Sequence, residues 1–305
     1  MKKFIISTDS CIDYYKSYLE QHNIYCISLT RVLNGVEVAE HYSSDEEFDA
    51  FYDTLKNGDR PTTVALNPYE LKEYFKQILE KEKTGDIVHL SLSSGLSMTW
   101  ENAQSAVDEL NQELKDRQIH LVDSLSATIG MNHAIDKLMR LQDAGSTAQD
   151  AVKHIEELRT RQQGWVIMSD LMHLKRGGRI SGIKATIGTV FNVKPIIVLT
   201  KKGKLVLENK MRGNAKAINY VLSKMKELGQ DANEKFFDQT FYLARTSESP
   251  LFNELKTAII HRYPNIKIKQ SIVNPIIGTH LGCGIAAVLF EGARRLNIND
   301  KQRGS

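Results

Sequence analysis

Hydroxyl and carboxylate side chains follow three apolar segments of the chain, at the points where strands would end. The run FII (4–6) stops in STDS (7–10), a second run ends in SLSS (91–94), and a third ends in DS (123–124). Ligands of open α/β sheets bind outside the carboxyl ends of the strands, so these side chains are expected to share one edge. Helix N-termini would direct free amides to the same edge, which would suit a small anionic group. Helix capping is the alternative role for each segment.

A glycine-rich segment near the C-terminus also has residue types suited to ligand binding. In IGTHLGCG (277–284), Gly278, Gly282 and Gly284 surround His280. We interpret the segment as a loop whose backbone approaches a ligand, with His280 donating a hydrogen bond or supplying a positive charge. The glycine spacing differs from a dinucleotide fingerprint and a strand follows, so no nicotinamide cofactor is expected. A tight turn around a structural histidine is the alternative.

Catalytic residue types are present, but no recognised catalytic motif contains them. The sequence has neither a G-x-S-x-G elbow nor an H-E-x-x-H metal pair. Ser94, His280 and either Asp9 or Asp123 could supply a nucleophile triad by residue type, so a serine hydrolase or acyltransferase is the alternative function. The three cysteines are scattered without the spacing of a metal site. Neither a metal nor a cofactor is expected.

Composition narrows the class of protein further. The 305 residues carry a net charge of only +3, so the overall charge does not favour nucleic acid binding. Neither a signal peptide nor a long apolar run is present in the sequence, so stable membrane insertion is not expected. Scattered cysteines are typical of a reducing compartment. A cytoplasmic location is therefore expected.

Alternating apolar and amphipathic segments predict the elements that position the first group of polar residues. The predicted strands are FIIS (4–7), IYCISL (24–29), DIVHLSLS (86–93) and IHLVDS (119–124). The predicted helices are 45–55, 68–80 with Asn67 as its cap, 97–117, and a long helix through 141. Strands that alternate with helices in this way predict a parallel sheet covered on both faces.

The second half of the chain has a different pattern. Its predicted strands are 164–171, VKPIIVLT (193–200), KLVLENKM (204–211), FYLART (241–246) and IKIKQSIV (266–273), with KKG (201–203) as a hairpin turn. The apolar stripe of GNAKAINYVLSKMKEL (213–228) predicts a core helix. The segment LKRGGRI (174–180) lacks the Lys-Ser/Thr ending of a P-loop. It is interpreted as a solvated basic turn or as a docking patch for an acidic partner. A hairpin among further strands predicts a second α/β domain with a mixed sheet. The expected domains are 1–155 and 156–298, followed by a polar tail, 299–305.

The chain resembles the DegV family over nearly its whole length. The resemblance rests on eight segments in order: STDSCID (7–13), PTT (61–63), LSSGLSMT (92–99), VDSLSATIG (122–130), DLMHLKRGGRIS (170–181), VKPII (193–197), MRGNAKA (211–217) and GTHLGCG (278–284). It implies an N-terminal α/β/α parallel-sheet domain and a C-terminal α/β domain with a mixed sheet. It also implies a bacterial protein that binds a long-chain fatty acid between the domains. Such a carrier presents the carboxylate to a separate fatty acid kinase, for phospholipid synthesis, and has no catalytic residues of its own.

The resemblance assigns roles residue by residue. Thr63 and Ser94 correspond to the hydroxyls that bind the fatty-acid carboxylate, with Thr62 and Ser93 as the alternatives if the register is shifted. His280 belongs to the same network. The remaining assignments are Arg212 near the carboxylate, Gly278 and Thr279 as supporting residues of the last motif, and Arg176 and Arg179 facing the kinase.

Asp9 has two alternative roles beside this network. It would repel the ligand carboxylate, so we expect it to orient a donor or His280, or else to cap the following helix.

The chain also departs from the usual family sequence. Val64-Ala65-Leu66 replace a Ser-Gln-Pro continuation, Met98 and Trp100 replace Gly and Tyr, and Cys283 stands where proline is common. These differences are expected to change the acyl-chain preference or the partner surface. The preferred chain length, the tunnel-lining residues and the oligomeric state are not specified by the sequence.

Overall fold

The computed structural model describes residues 4–39, 44–180, 192–230 and 239–295, and the predicted polar tail lies outside them. In chain order the elements are β1 (Ile5–Asp9), α1 (Lys16–Gln21), β2 (Tyr25–Ile27), β3 (Thr30–Leu33), β4 (Val36–Ala39), α2 (Asp45–Lys56), β5 (Thr62–Val64), α3 (Pro68–Lys81), β6 (Ile87–Ser91), α4 (Thr99–Glu113), β7 (Ile119–Asp123), α5 (Ile129–Asp143), α6 (Ala148–Arg161), β8 (Gln162–Ile167), α7 (Met172–Arg176), β9 (Val193–Leu199), β10 (Leu205–Arg212), α8 (Asn214–Gln230), β11 (Thr240–Arg245), α9 (Pro250–Arg262), β12 (Lys267–Ile272), α10 (Pro275–Leu281) and β13 (Ala286–Glu291).

These elements fall into two compact units. Unit 1 comprises 1–44 with 61–159, and unit 2 comprises 45–60 with 160–305. Helix α2 is therefore grouped with the second half of the chain. The sequence-based domain boundaries stay predictions.

The main sheet of unit 1 confirms the predicted parallel architecture. Its strand order is β2-β1-β6-β7, and each neighbouring pair is parallel. Strands β1 and β6 are buried along their whole length, as expected for a sheet covered on both faces. The carboxyl ends of β1, β6 and β7 bring the segments after Asp9, Ser91 and Asp123 to one edge.

Helix α3 illustrates how local sequence sets an element boundary. The Asn67 side chain accepts a hydrogen bond from the Glu70 amide at 2.9 Å, and the Glu70 carboxylate accepts from the Asn67 amide at 2.8 Å. Pro68 occupies the first turn, where its missing N–H removes no helical hydrogen bond. The predicted cap at Asn67 is confirmed.

A second sheet in unit 1 was not predicted. Its order is β4-β3-β5, and both strand pairs are antiparallel. Asn34 and Gly35 join β3 to β4 with positive φ angles of 53° and 78°, the backbone geometry of a tight hairpin turn. Thr62–Val64 form β5, in which the chain is extended by pairing with β3.

Unit 2 contains the predicted mixed sheet. The strand order is β10-β9-β8-β13-β11-β12, in which only the β11–β12 pair is parallel. The predicted hairpin at 201–203 joins β9 to β10, where the Thr200 amide donates to the Lys204 carbonyl at 2.9 Å. The stripe of α8 packs into the core through Ile218, Val221, Met225 and Leu228. Within the described residues, no helix is both long and apolar enough to cross a membrane.

Candidate functional site

Asp9 connects the carboxyl ends of β1 and β6. Its carboxylate is fully buried and accepts the Cys11 amide at 3.0 Å and the Leu92 amide at 2.7 Å. Burial raises the pKa of Asp9, and the two amides oppose that shift. Helix α1 begins at Lys16, so Asp9 does not cap it. The residue instead fixes the segment that follows β6, which carries Ser93 and Ser94.

Ser94 is held by the carboxylate at the end of the neighbouring strand. Its hydroxyl donates to Asp123 Oδ2 at 2.6 Å, and its amide donates to Asp123 Oδ1 at 3.2 Å. The Leu125 amide also donates to Oδ1, at 2.9 Å. Asp123 is buried whereas Ser94 is partly exposed. The structure therefore brings two residues of the sequence-predicted edge together, with a defined hydroxyl orientation.

Ser93 and the two threonines have different environments. Ser93 is buried, and its hydroxyl accepts the Gly95 amide at 3.1 Å, so it supports the turn. In β5, Thr62 is exposed and Thr63 is partly buried opposite Arg31 of β3. Adjacent strand residues face opposite sides of a sheet, so the two threonines cannot serve one site equally. The partly buried Thr63 is the better placed of the two.

The end of β5 is fastened to the helix that follows Ser94. The Asn102 side chain of α4 donates to the Leu66 carbonyl at 2.7 Å. Leu66 lies three residues beyond Thr63, and α4 begins five residues beyond Ser94. One hydrogen bond thus couples the two segments that carry the proposed carboxylate-binding hydroxyls.

In unit 2 the expected glycine-rich loop, 277–284, is wrong for residues 277–281, which lie in helix α10 (Pro275–Leu281). Asn274 caps it by accepting the Ile277 amide at 3.0 Å, and Pro275 occupies its first turn. Gly282, with a φ of 76°, ends the helix. The Thr279 hydroxyl donates back to the Pro275 carbonyl at 2.9 Å and stays buried.

Gly278 permits close packing between α10 and α2. A Cβ atom at this position would lie 2.3 Å from the Tyr52 hydroxyl oxygen. That hydroxyl is fully buried and donates to the Val273 carbonyl at 2.7 Å. Gly278 therefore has a packing role in unit 2.

Two histidines pack reciprocally against glycines of the facing helix. A Cβ atom on Gly177, at the end of α7, would lie 2.3 Å from His280 Nδ1. A Cβ atom on Gly282, at the end of α10, would lie 2.5 Å from His173 Cδ2. Each glycine makes room for the other helix's histidine. This reciprocal packing explains why a histidine and a glycine occur close together both in 170–181 and in 278–284. The sequence did not indicate His173.

Burial and nearby cations keep these imidazoles neutral. Burial, then Arg179 and His173, lower the pKa of His280 from 6.5 to about 4. His280 therefore carries no charge near neutral pH, which corrects the expectation that it could supply a positive charge there. Burial and Arg176 also lower the pKa of His173. The Arg176 guanidinium donates to His173 Nδ1 at 2.9 Å and is oriented by it.

Of the three arginines assigned by sequence, Arg176 lies on α7, Arg179 follows the turn after it, and Arg212 lies on β10. Arg176 is exposed at the end of α7, and the partly exposed Arg179 donates to the Gly177 carbonyl. Arg212 is exposed at the end of β10, opposite Val193 of β9. The segment 174–180, predicted as a solvated basic turn or a docking patch, thus begins inside α7 and continues into the turn after it, with Lys175 and Arg176 exposed.

A family model decides the relationship of this chain to known proteins. The model of the DegV family of uncharacterised proteins matches residues 3–293. The chain belongs to the DegV family. A DegV domain-containing protein of Caldanaerobacter subterraneus is 30% identical over 292 residues, covering 95% of this chain and 99% of that protein. One of Clostridium perfringens is 28% identical and covers 96% and 98%.

Solved DegV structures share the fold of this chain. A DegV family protein of Thermus thermophilus described by its fatty acid binding has a TM-score of 0.81 at 20% identity, covering 95% of this chain and 99% of its own. DegV of Bacillus subtilis, described as a fatty acid binding protein, has a TM-score of 0.78 at 24% identity and covers 96% and 100%. A Eubacterium eligens member loaded with heptadecanoic acid has a TM-score of 0.80 at 16% identity, with 95% and 99% covered.

The geometry of this DegV chain does not support the hydrolase alternative. Both oxygens of Asp9 accept main-chain amides, so its carboxylate is not in the position of a triad acid. Ser94 donates its hydroxyl hydrogen directly to Asp123, whereas a nucleophilic serine donates to a general base. Among the described residues, no group of three or more His, Cys, Asp or Glu side chains could hold a metal ion.

Proposed function

We propose that this chain binds a long-chain fatty acid and presents its carboxyl group to a separate fatty acid kinase. The observation that carries the proposal is Ser94, which lies partly exposed at the carboxyl edge of a parallel sheet with its hydroxyl fixed by Asp123 at 2.6 Å. This edge is where open α/β sheets bind ligands. The DegV fold, which solved fatty-acid-binding members share, supports the choice of ligand.

The binding energetics fit such a ligand. A carboxyl group that leaves water requires hydrogen-bonding partners in the protein, and Thr63 and Ser94 offer hydroxyls for it. The neutral imidazole of His280 offers a further hydrogen bond without a formal charge. Burial of the acyl chain would contribute about 0.8 kcal/mol for each CH₂ group. The tail therefore supplies most of the affinity, and the polar residues select the carboxyl end.

Several finer features stay predictions from the family resemblance. They are the position of the ligand between the two domains, the cytoplasmic location, the absence of a cofactor, and the use of the acyl phosphate in phospholipid synthesis. The contribution of Arg212 to the carboxylate network and the supporting roles of Gly278 and Thr279 belong with them. In this account the kinase, not this chain, performs the catalysis.

The proposed kinase-docking surface comprises Lys175 and Arg176 of α7 and Arg179, which follows the turn after it. His173 holds the Arg176 guanidinium in one orientation, which lowers the entropy lost on docking. An oriented guanidinium suits a carboxylate on a partner protein. Charge complementarity of this kind mainly accelerates association and determines specificity.

Reconstitution with the kinase tests the carrier function. We expect acyl phosphate to form from fatty acid and ATP when both this chain and the kinase are present, and not when either is omitted. Replacing Arg176→Glu and Arg179→Glu together is expected to lower the rate about tenfold or more, because two attractive charges become repulsive. Fatty acid binding by the variant, measured separately, distinguishes a loss of docking from a loss of ligand.

Lys202→Glu is the matched control, since Lys202 is exposed on the β9–β10 hairpin of the same unit. A rate equal to the parent's in the double arginine variant would contradict the docking surface. Acyl phosphate formation by the kinase without this chain would contradict the carrier function itself.

A further inference from the structure

The hydroxyl hydrogen of Ser94 is already donated within unit 1. A serine hydroxyl has one hydrogen, and the 2.6 Å separation from Asp123 Oδ2 is typical of a charge-assisted O–H···O⁻ hydrogen bond. Asp123 Oδ1 accepts the Ser94 and Leu125 amides, which fix the carboxylate in this position. Towards a ligand, Ser94 therefore offers lone pairs. A lone pair attracts a hydrogen-bond donor and repels an ionised carboxylate.

Within unit 1, the charged side chains that hydrogen-bond to the Ser94 segment are mainly carboxylates. Asp9 holds Leu92 two residues away, and Asp123 contacts Ser94 directly. The Arg159 guanidinium donates to the main-chain carbonyl of Asp123 at 2.7 Å and to Glu156 at 3.0 Å, so its charge is shared with another carboxylate. The other titratable groups on the surrounding elements are His89 on β6, His120 on β7, Glu101, Asp108, Glu109 and Glu113 on α4, and His133, Asp136, Lys137, Arg140 and Asp143 on α5.

We propose that the bound fatty acid and Asp123 share one acid proton through the Ser94 hydroxyl. This inference rests on the proposed function, in which Ser94 contacts the carboxyl group. Before binding, the ligand carboxylate and Asp123 each carry one negative charge. On binding, one proton is taken up from solvent, the ligand carboxyl donates it to Ser94 Oγ, and Ser94 donates its own hydrogen to Asp123. The complex then carries one negative charge instead of two adjacent ones.

Carboxyl pairs that share a proton are established chemistry, because two carboxylates at close range do not both ionise. Here the serine hydroxyl lies between the two groups and relays the hydrogen bond. Asp123 is thereby a positioning residue: it acts on the ligand through Ser94. The chemical class recognised at Ser94 is an un-ionised carboxylic acid, and an acyl ester lacks the required hydrogen.

Calorimetric titration of the full chain with dodecanoic acid tests the inference. Titrations at about pH 8 in two buffers of different ionisation enthalpy give the number of protons exchanged, and we expect uptake of about one proton per ligand. Dodecan-1-ol keeps its hydroxyl hydrogen at this pH, so its titration should show no uptake and provides the reference. Affinity for the acid should fall about tenfold per pH unit above the pKa of the ligand, while affinity for the alcohol stays constant.

Asp123→Asn removes the proposed proton partner but keeps a group that can donate to Ser94 Oγ. Ser94 could then donate to an ionised carboxylate, so we expect proton uptake to fall to nearly zero. Asp108→Asn is the matched control, because Asp108 is exposed on α4 of the same unit, where it accepts a hydrogen bond from the Gln104 side chain at 2.7 Å. This control should retain the uptake of the parent.

The outcomes separate the two proposals. Tight binding of dodecanoic acid by the parent without proton uptake beyond the alcohol reference would overturn the shared proton and leave the carrier function intact. Absence of binding at every pH would overturn the carrier function. If Asp123→Asn does not fold, the number of protons taken up by the parent, compared with the alcohol reference, still shows whether the ligand and Asp123 share a proton.

Discussion

Acidification from about pH 6.5 to about pH 4 is expected to lower the free energy of unfolding of unit 1 by about 3 kcal/mol through His89 alone. Burial lowers the pKa of His89 from 6.5 to about 3. Between these values the unfolded chain binds a proton that the folded chain does not. Stability from this residue is therefore complete above about pH 6.5 and is lost as the pH falls towards about 3.

The surroundings of His89 explain the low pKa. The imidazole Nδ1 lies 2.8 Å from Ser7 Oγ, which is 2.8 Å from the Tyr74 hydroxyl. The ring of Phe75 packs edge-on at 5.0 Å between centroids. Within the described part of the chain, Nε2 is buried without a hydrogen-bond partner. A second proton on this ring would introduce a buried charge that no acceptor compensates.

Urea unfolding at about pH 7 and pH 4.5 measures this dependence. His89→Gln should reduce the loss of stability between the two pH values by about 2–3 kcal/mol, because the titrating group is removed. His154→Gln, which changes an exposed histidine of α6, should retain the parent's dependence. An unchanged pH dependence in His89→Gln would contradict the assignment.

Gly177→Ala is expected to destabilise unit 2 by about 1–3 kcal/mol and to displace His280. The φ of Gly177 is −73°, so an alanine meets no backbone strain there. The new Cβ atom would instead lie 2.3 Å from His280 Nδ1. The steric effect is thus isolated from the conformational effect that accompanies most glycine substitutions.

A double-mutant cycle with His280→Ala distinguishes this cause from others. In the His280→Ala background, Gly177→Ala should lower the free energy of unfolding only slightly, because the clashing side chain is absent. Gly178→Ala is the comparison variant: Gly178 has a φ of 67°, and a Cβ atom there would meet no described atom within 4 Å, so it reports backbone strain alone. Equal costs of Gly177→Ala in both backgrounds would show that the two helices do not interlock through His280.

Much of the fold was predictable because its signals are local. The apolar period of α8, the Asn67 cap and the 201–203 hairpin each depend on residues close in sequence, and all three are confirmed. The hairpin at Asn34-Gly35 carried an equally local signal that the sequence analysis did not use. Strand β5 carried none, since its conformation depends on pairing with β3 about thirty residues away.

The candidate site was predictable in part for similar reasons. Strand ends placed Ser94 and Asp123 at one edge, and the structure joins them by a hydrogen bond. The interlock of His173 with α10 joins residues about a hundred positions apart, and no spacing rule reports it. The neutral state of His280 depends on burial and on Arg179, which sequence does not reveal. The start of α10 was signalled by Asn274-Pro275, but the glycines that follow favoured a loop.

Under the proposed function, this DegV chain carries a fatty acid whose carboxyl group is bound by Thr63 and Ser94. Mass spectrometry of lipids extracted with organic solvent from the purified protein tests it most directly, beside a Thr63→Ala/Ser94→Ala variant. We expect a fatty acid in about one-to-one ratio with the parent and a depleted amount in the variant. A parent that holds no fatty acid and takes up none when it is added would overturn the proposed function.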